Sequence, residues 1–369
     1  MPAQYSPTYY IQMITANSPI TFTSGVTMKN RFMLAPLTNQ QSHENGQIST
    51  EELKWLTMRA EGGFGLVMTC ASHVQEVGKG FPGQLGIFSD DLMEGHLKLT
   101  ASIKAEGCIS VIQLHHAGMR TPAELINDKP VSASDTHNPT ARALTLEEVG
   151  ALRDDFIAAA VRAQKSGYDG VEVHGAHGYI ITQFLSKDIN KRTDIYGGSL
   201  MNRSRLLFEI VEGISAKCGG AFLLGVRLSP ERFGMDLAEV KWVCQQLIDT
   251  GNIDFLDISL WDTFKMPEEE KYQNHSLLAH FKSLDFKKVK WTVAGKITNA
   301  SEVKKVIDAG VDFVTIGKSA ILHHNFPERV MADPSFYPIQ TPVTEEYLRK
   351  EGLGKKFVTY LKRWPDFVE

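Results

Sequence analysis

Polar and apolar positions alternate along this chain in a repeated order. A polar stretch with helical spacing ends in glycine, and a short continuous apolar run follows. The instances are MRAEGGFGLVMTC, SIKAEGCISVIQL, RAQKSGYDGVEVH, QLIDTGNIDFLDIS and VIDAGVDFVTIG. Glycine suits the left-handed position just past a helix. Gly62, Gly107, Gly167, Gly251 and Gly310 therefore each read as helix stop, tight turn and strand start. The apolar runs do not alternate with polar residues, as expected of parallel strands buried on both faces. Eight candidates begin near Phe32, Leu66, Ile109, Gly170, Phe222, Phe255, Val289 and Phe313. Ser49-Thr-Glu-Glu52 and Thr145-Leu-Glu-Glu148 read as capping boxes opening two of the intervening helices.

Eight strands at about 46 residues per unit predict an α/β fold, a (β/α)8 TIM barrel with insertions. The rival, an open doubly wound sheet, calls for a GxGxxG turn after the first strand, and the sequence has none. Ile20 to Met28 reads as a hairpin turning at Ser24-Gly25, placed to plug the N-terminal mouth of the barrel. The tail from Thr344 to Val368 reads as a helix ending at Trp364-Pro365. No low-complexity linker interrupts the chain, so residues 1–369 read as a single domain.

Composition narrows the function classes. The chain has 369 residues, 43% hydrophobic and 22% charged, an ordinary globular profile. Its 39 basic and 43 acidic residues leave a net charge of −4, with no footprint for nucleic acid. No apolar run approaches the roughly 18–20 residues needed to span a bilayer. The opening MPAQYSPTYYIQM has neither a basic nor an apolar signal region. Cys70, Cys108, Cys218 and Cys244 are scattered without a CxxC pair, which argues against a zinc ribbon, an iron–sulfur cluster or a disulfide scaffold. The expectation is a reduced, cytoplasmic compartment.

In a barrel of this kind the chemistry sits at the C-terminal strand ends. Those ends read Ala35-Pro36-Leu37-Thr38-Asn39, Thr69-Cys70-Ala71-Ser72, Gln113-Leu-His-His-Ala-Gly118, His174-Gly-Ala-His-Gly-Tyr179, Arg227-Leu-Ser229, Ala294-Gly295-Lys296 and Ile316-Gly317-Lys318. Gly295 and Gly317 each end a strand before a helix, where backbone N–H groups can cradle a phosphate with help from Lys318. Ordinary βα turns would look the same. His174 and His177, with Tyr179 two residues on, admit three readings. They are a metal pair, two donors to a carbonyl oxygen with a phenol as proton source, or structural histidines at a helix start. His115-His116 and His323-His324 read as rim or solvated-face residues.

At this point the residues resemble the old yellow enzyme family, FMN-dependent ene reductases. The resemblance is carried by His174-Gly-Ala-His-Gly-Tyr179, Gln183-Phe-Leu-Ser186, Asn190-Lys-Arg-Thr-Asp-Ile-Tyr-Gly-Gly-Ser199 and Asn202-Arg-Ser-Arg205. It continues through Asn30-Arg31, Ala35 to Thr38, Gly225-Val-Arg-Leu-Ser229 and Gly317-Lys318, and so covers essentially the whole chain. The two-histidine form is similar to the bacterial branch.

The resemblance implies bound FMN, with NADPH or NADH as co-substrate in ping-pong kinetics. It implies that Pro36, Leu37 and Thr38 lie along the flavin ring, that Ala71 and Gln113 meet its pyrimidine side, and that Arg227 sits near N1 and O2. Gly295, Gly317 and Lys318 would hold the phosphate, with Ala294 beside them. His174 and His177 would bind the oxygen of an activated alkene or quinone, and Tyr179 would donate the proton. No metal is implied. A homodimer or homotetramer is implied, with Arg363 a candidate to reach a neighbouring site. Asn39, Gln40 and the segment Phe264 to Tyr272 are candidate pocket walls. The chain departs from the family pattern at Lys318, where arginine is common, and at Thr38, where some relatives carry cysteine. Two alternatives stand beside this reading: a metal-dependent barrel hydrolase centred on His174 and His177, and a non-catalytic flavin-binding protein.

Overall fold

A computed structural model describes residues 15–369. The N-terminal residues inspected for a signal region lie outside the described residues. Eight parallel strands close into a barrel. In chain order they are β1 (Phe32–Leu34), β2 (Leu66–His73), β3 (Ile109–His115), β4 (Gly170–Gly175), β5 (Leu223–Leu228), β6 (Phe255–Ser259), β7 (Lys290–Ala294) and β8 (Phe313–Ile316). Ring closure is made by β8 pairing with β1. The expected strand starts agree with these within one residue.

Each apolar run is buried from both sides, which is why it is continuous. Outward-facing residues such as Val67, Ile112, Val171, Val226 and Val293 join a shell packed under the helices. The helix Leu146–Lys165 shows how that shell is built. It buries Val149, Leu152, Phe156, Ala159, Ala160 and Ala163, one stripe at helical spacing. Its Thr145 capping box is complete, with both reciprocal hydrogen bonds present.

The Ser49 box is only half formed. Ser49 accepts from the Glu52 backbone N–H, but the Glu52 side chain turns inward to a buried network instead of closing the box. Gly62 also departs from expectation. Its φ is −76°, and the left-handed residue is its neighbour Gly63 at φ 90°. Gly62 is needed for close approach instead, because a Cβ there would stand 2.1 Å from the His324 carbonyl oxygen.

Inside the barrel a second cluster fills the N-terminal end. Ile20, Phe22 and Met28 from the hairpin strands Ile20–Thr21 and Thr27–Met28 pack against Met33, Leu66, Met68, Ile109, Val111, Leu223, Phe255 and Phe313. The Phe22 ring stands 6.1 Å from Phe255 and 5.8 Å from Phe313, so the hairpin does plug that mouth. The tail is two helices, not one. Glu345–Lys350 and Lys355–Leu361 are separated at Gly352, whose φ of 86° breaks the ladder. A small sheet, with strands Val131–Ser132, Thr136–His137 and Thr140–Ala143, decorates the loop after β3. With the N-terminal end plugged, the polar strand ends gather at the other rim.

Candidate functional site

Strand register brings the expected residues together. Ala71 pairs with Gln113, Gln113 with Glu172, His174 with Arg227, Arg227 with Asp257, Ser259 with Ala294, and Ala294 with Thr315. A bulge between Met68 and Ala71 shifts β2 by a step before Ala71 pairs. Pro36, Leu37 and Thr38 leave β1 at the same rim, and Gly317 and Lys318 leave β8 there. The strands below are buried along most of their length. Pro36, Leu37, Thr38, Ala71, His177, Tyr179, Ala294, Gly295 and Gly317 are half-buried, a band of partly open residues around the rim.

The turn after β4 is shaped to present its side chains. His177 at φ 61° and Gly178 at φ 74° are consecutive left-handed residues that fold the chain back towards the helix Ile180–Leu185. Gly178 is required there, since a Cβ would meet the Phe233 ring at 2.8 Å. The His177 backbone N–H donates to Ser229 Oγ at 3.0 Å. Gln183 Nε2 donates to the Gly178 and Ala117 carbonyls at 2.8 and 3.2 Å. Thr182 Oγ1 donates to the Gly175 carbonyl at 2.9 Å. The conformation of the His-Gly-Ala-His-Gly-Tyr run is thus held from several sides.

Three imidazoles and a phenol converge at this turn. His174 Nε2 and His177 Nδ1 are 3.0 Å apart, and His177 Nε2 is 2.7 Å from Ser259 Oγ. The Tyr179 ring is 5.1 Å from that of His174 and 4.4 Å, edge to face, from that of His115. The Arg120 guanidinium lies 4.7 Å over the Tyr179 ring and donates to the His177 carbonyl. Burial, reinforced by Arg227 and Arg120, depresses His177 to about 3. Burial, then the neighbouring histidines, holds His174 and His115 well below the usual imidazole range. All three rings are therefore neutral at physiological pH. Burial raises the Tyr179 phenol, which stays protonated.

Beneath them lies a charged layer. Gln113 Nε2 donates to Glu172 Oε1 at 2.7 Å. Arg227 Nε is 3.1 Å from Asp257 Oδ2, near enough for an ion pair but off line for a hydrogen bond. Glu172 and Asp257 are both fully buried, and burial raises both carboxyls.

The phosphate-end residues behave unequally. A Cβ on Gly317 would make only ordinary contacts, 3.6 Å to Leu37 and 3.9 Å to Ala35, so backbone is accessible there at a helix start. At Gly295 the space is already taken. A Cβ would come within 2.9 Å of the loop after β6, and the Gly295 carbonyl accepts from Thr263 Oγ1 at 2.7 Å. Lys318 is exposed, with Nζ 5.2 Å over the Phe367 ring. The residues present fit an FMN. They supply a half-buried apolar band, an open glycine at a helix start, and Arg227 with a buried Nε that no hydrogen bond uses.

Among the remaining candidates, Asn39 is fully buried and donates to Glu52. Phe264 is half open to solvent, while the Tyr272 hydroxyl donates to Asp236. Arg363 is exposed. His115 and His116 are buried, contrary to the rim or solvated-face reading. Among the described residues no group of three or more His, Cys, Asp or Glu is placed to hold a metal ion.

Sequence reasoning missed Ser259, Arg120 and Gln84. Gln84 Nε2 donates to the Ala71 carbonyl at 2.7 Å and reaches His115 Nδ1 at 3.2 Å. Ser259 ends a strand whose end was not singled out, although its run was.

The sequence model of the NADH:flavin oxidoreductase / NADH oxidase family matches residues 17–334. The Bacillus subtilis (strain 168) protein named "Probable NADH-dependent flavin oxidoreductase YqiG" is 36% identical over 325 residues, covering 85% of this chain and 86% of that protein. The NADPH dehydrogenase of the same organism is 33% identical over 346 residues, covering 89% and 97%. The solved old yellow enzyme homologue from Zymomonas mobilis is 27% identical with a TM-score of 0.77, covering 90% of this chain and 96% of that one. Longer proteins also match: the chain spans 36% of the NADH:fumarate oxidoreductase of Klebsiella pneumoniae (strain 342). Among the described residues no helix is long and apolar enough to cross a membrane.

Proposed function

The chain belongs to the NADH:flavin oxidoreductase / NADH oxidase family, and from that premise we propose that it reduces the C=C bond of a small activated alkene or quinone at the barrel rim. It is an FMN-dependent NAD(P)H oxidoreductase of the old yellow enzyme type. FMN, when bound, supplies the two-electron carrier that takes hydride from NAD(P)H and delivers it to the alkene β-carbon.

The chain's own residues do the rest. Pro36, Leu37, Thr38 and Ala71 form the half-buried wall along the flavin. Gln113 and Arg227 face its polar edge, where a fixed cation favours the reduced, anionic form. Gly317 and Lys318 hold the phosphate, with Ala294 and Gly295 beside them. Gly295 contributes as a packed turn, since its Cβ space is filled by the neighbouring loop. His174 and His177 bind the oxygen of the electron-withdrawing group, so that negative charge can develop on it. Tyr179 holds a proton at Oη and delivers it to the α-carbon.

One observation carries this reading. The His177 and Tyr179 rings each lie 5.1 Å from the His174 ring at the C-terminal rim of the barrel. Such a set can donate to an oxygen and protonate a carbon without any net charge of its own.

The test is spectroscopic. Purified protein should be yellow. Anaerobic NAD(P)H should bleach it, and an enone or quinone should restore the colour. Protein that takes up no FMN, or reduced protein whose colour returns with no activated alkene or quinone, overturns the proposal.

A further inference from the structure

We propose that Ser259 is a positioning residue, one that fixes His177 as an Nδ1–H donor towards the substrate oxygen. This inference rests on the reading above of His174 and His177 as the oxygen-binding pair. It adds which nitrogens donate, and why.

Hydrogen-bond bookkeeping starts at Arg227. Its Nη2 lies 3.4 Å from Ser259 Oγ. A guanidinium only donates, so this contact uses a lone pair of the hydroxyl. The hydroxyl has one proton, and its other partner among the described residues is His177 Nε2 at 2.7 Å. That proton has no other acceptor among the described residues, so it is used only if it points to His177 Nε2, which then accepts. A neutral imidazole carries one N–H, so the His177 proton sits on Nδ1. His177 Nδ1 faces His174 Nε2 at 3.0 Å, and only one hydrogen fits between them. His174 Nε2 therefore accepts. Its own proton is left on Nδ1, which is buried and has no partner among the described residues.

The arrangement without substrate is thus complete at every link except the last. An unsatisfied buried donor is unfavourable. A substrate oxygen placed between the two facing nitrogens accepts the His177 Nδ1–H directly. It also frees His174 Nε2 from its acceptor role. In the other His174 tautomer, with its proton on Nε2, both facing nitrogens donate to one oxygen and Nδ1 carries a lone pair in place of the stranded N–H.

The opposite polarity fails. If His177 donated to Ser259 from Nε2, His177 Nδ1 would be a bare lone pair facing the entering oxygen. The direction of one hydroxyl proton decides whether His177 attracts or repels the substrate.

The experiment uses protein labelled with 15N in its histidines, with Ser259→Ala and Ser259→Thr beside the wild type. Nitrogen chemical shifts separate protonated from bare ring positions. Wild type should show His177 protonated on Nδ1 and bare on Nε2. Ser259→Ala should populate both His177 tautomers, and Ser259→Thr, which keeps the hydroxyl, should restore one. In turnover with a carbonyl-bearing alkene, Ser259→Ala should raise KM roughly tenfold, as for one lost hydrogen bond, with kcat changed by less than about threefold. A wild-type His177 protonated on Nε2 refutes the proposal outright. So does a Ser259→Ala protein with an unchanged tautomer and KM. If Ser259→Ala does not fold, the wild-type tautomer and Ser259→Thr decide. Absence of alkene turnover in yellow wild-type protein would sink the proposed reaction, while the tautomer measurement would still judge Ser259.

Discussion

Glu52 offers a test of how the rim is supported from below. Its carboxyl is fully buried and receives three donors from two segments, the loop after β1 and strand β2. Asn39 Nδ2 reaches Oε1 at 3.0 Å, Cys70 Sγ reaches the same oxygen at 3.3 Å, and Ser42 Oγ reaches Oε2. Asn39 immediately follows Thr38, and Cys70 immediately precedes Ala71. One carboxyl thus ties together the two strand ends expected to wall the flavin. Among the described residues no cation is paired with it, and burial raises its pKa against those three hydrogen bonds.

The sign follows from linkage. The unfolded carboxyl titrates near 4.5, and the folded one titrates higher. Its contribution to stability is complete below the unfolded value and is lost as pH rises towards the folded value. Across that window the folded state holds one more proton than the unfolded state. Stability therefore falls by up to about 1.4 kcal/mol per pH unit from this group alone.

Glu52→Gln removes the titration and keeps the shape. Glu172 and Asp257 carry the same sign but titrate in both proteins, so they cancel in the difference. The assay is urea denaturation at half-unit steps from pH 4.5 to 8. The stability of Glu52→Gln minus that of wild type should rise with pH above 4.5. A flat difference means that Glu52 is ionised in the folded protein, with its donors outweighing burial, and refutes the argument. Glu52→Leu would instead strand the Asn39 and Ser42 donors, at about 1–3 kcal/mol each, and should weaken FMN binding as well.

Two further outcomes separate site from scaffold. Tyr179→Phe keeps the ring packed on His115 and removes only the hydroxyl. Stopped-flow should show flavin reduction by NAD(P)H nearly intact and alkene reduction slowed by about 10²–10⁴-fold, and equal loss in both half-reactions would remove the proton-donor role. Phe22→Ala empties the barrel plug and should cost about 3–5 kcal/mol in denaturant unfolding, while FMN affinity of the folded protein stays as in wild type.

The barrel was legible because burial from both sides leaves a one-dimensional mark. A run such as Phe-Val-Thr-Ile at residues 313–316 has little choice but a strand covered on both faces. The His174, His177 and Tyr179 constellation was legible for a similar reason: all three sit on one turn, and the turn's glycine shows in the sequence. Ser259, Arg120 and Gln84 were not legible. Each meets the site from another segment, at sequence separations of 82, 57 and 31 from the histidines they touch. Only strand register says that Ser259 stands beside Ala294 and one step above Asp257. Glu52 was read correctly as a residue near a helix start and wrongly as a cap. Local pattern cannot show that three donors elsewhere outbid a backbone N–H for the same carboxyl.

The charge layer under the imidazoles explains why the site is built from neutral donors. Among the described residues Arg227 is the only cation paired with Asp257, and both are almost wholly buried. If Glu172 and Asp257 were both ionised, the layer would hold a net negative charge with three carboxylate oxygens lacking a hydrogen bond. Such charge in a low dielectric is costly, and burial raises both carboxyls. Keeping one proton between the two carboxyls makes the layer neutral. A neutral layer exerts no pull that would protonate His174 or His177 above it, and Arg227 and Arg120 push the same way. Each ring then has one proton to place, and its position is set by hydrogen-bond partners, not by pH. An imidazolium would bind an anion as readily as a carbonyl. Two neutral N–H groups instead gain most where negative charge develops on the bound oxygen during the reaction, which is the condition for stabilising the transition state over the ground state.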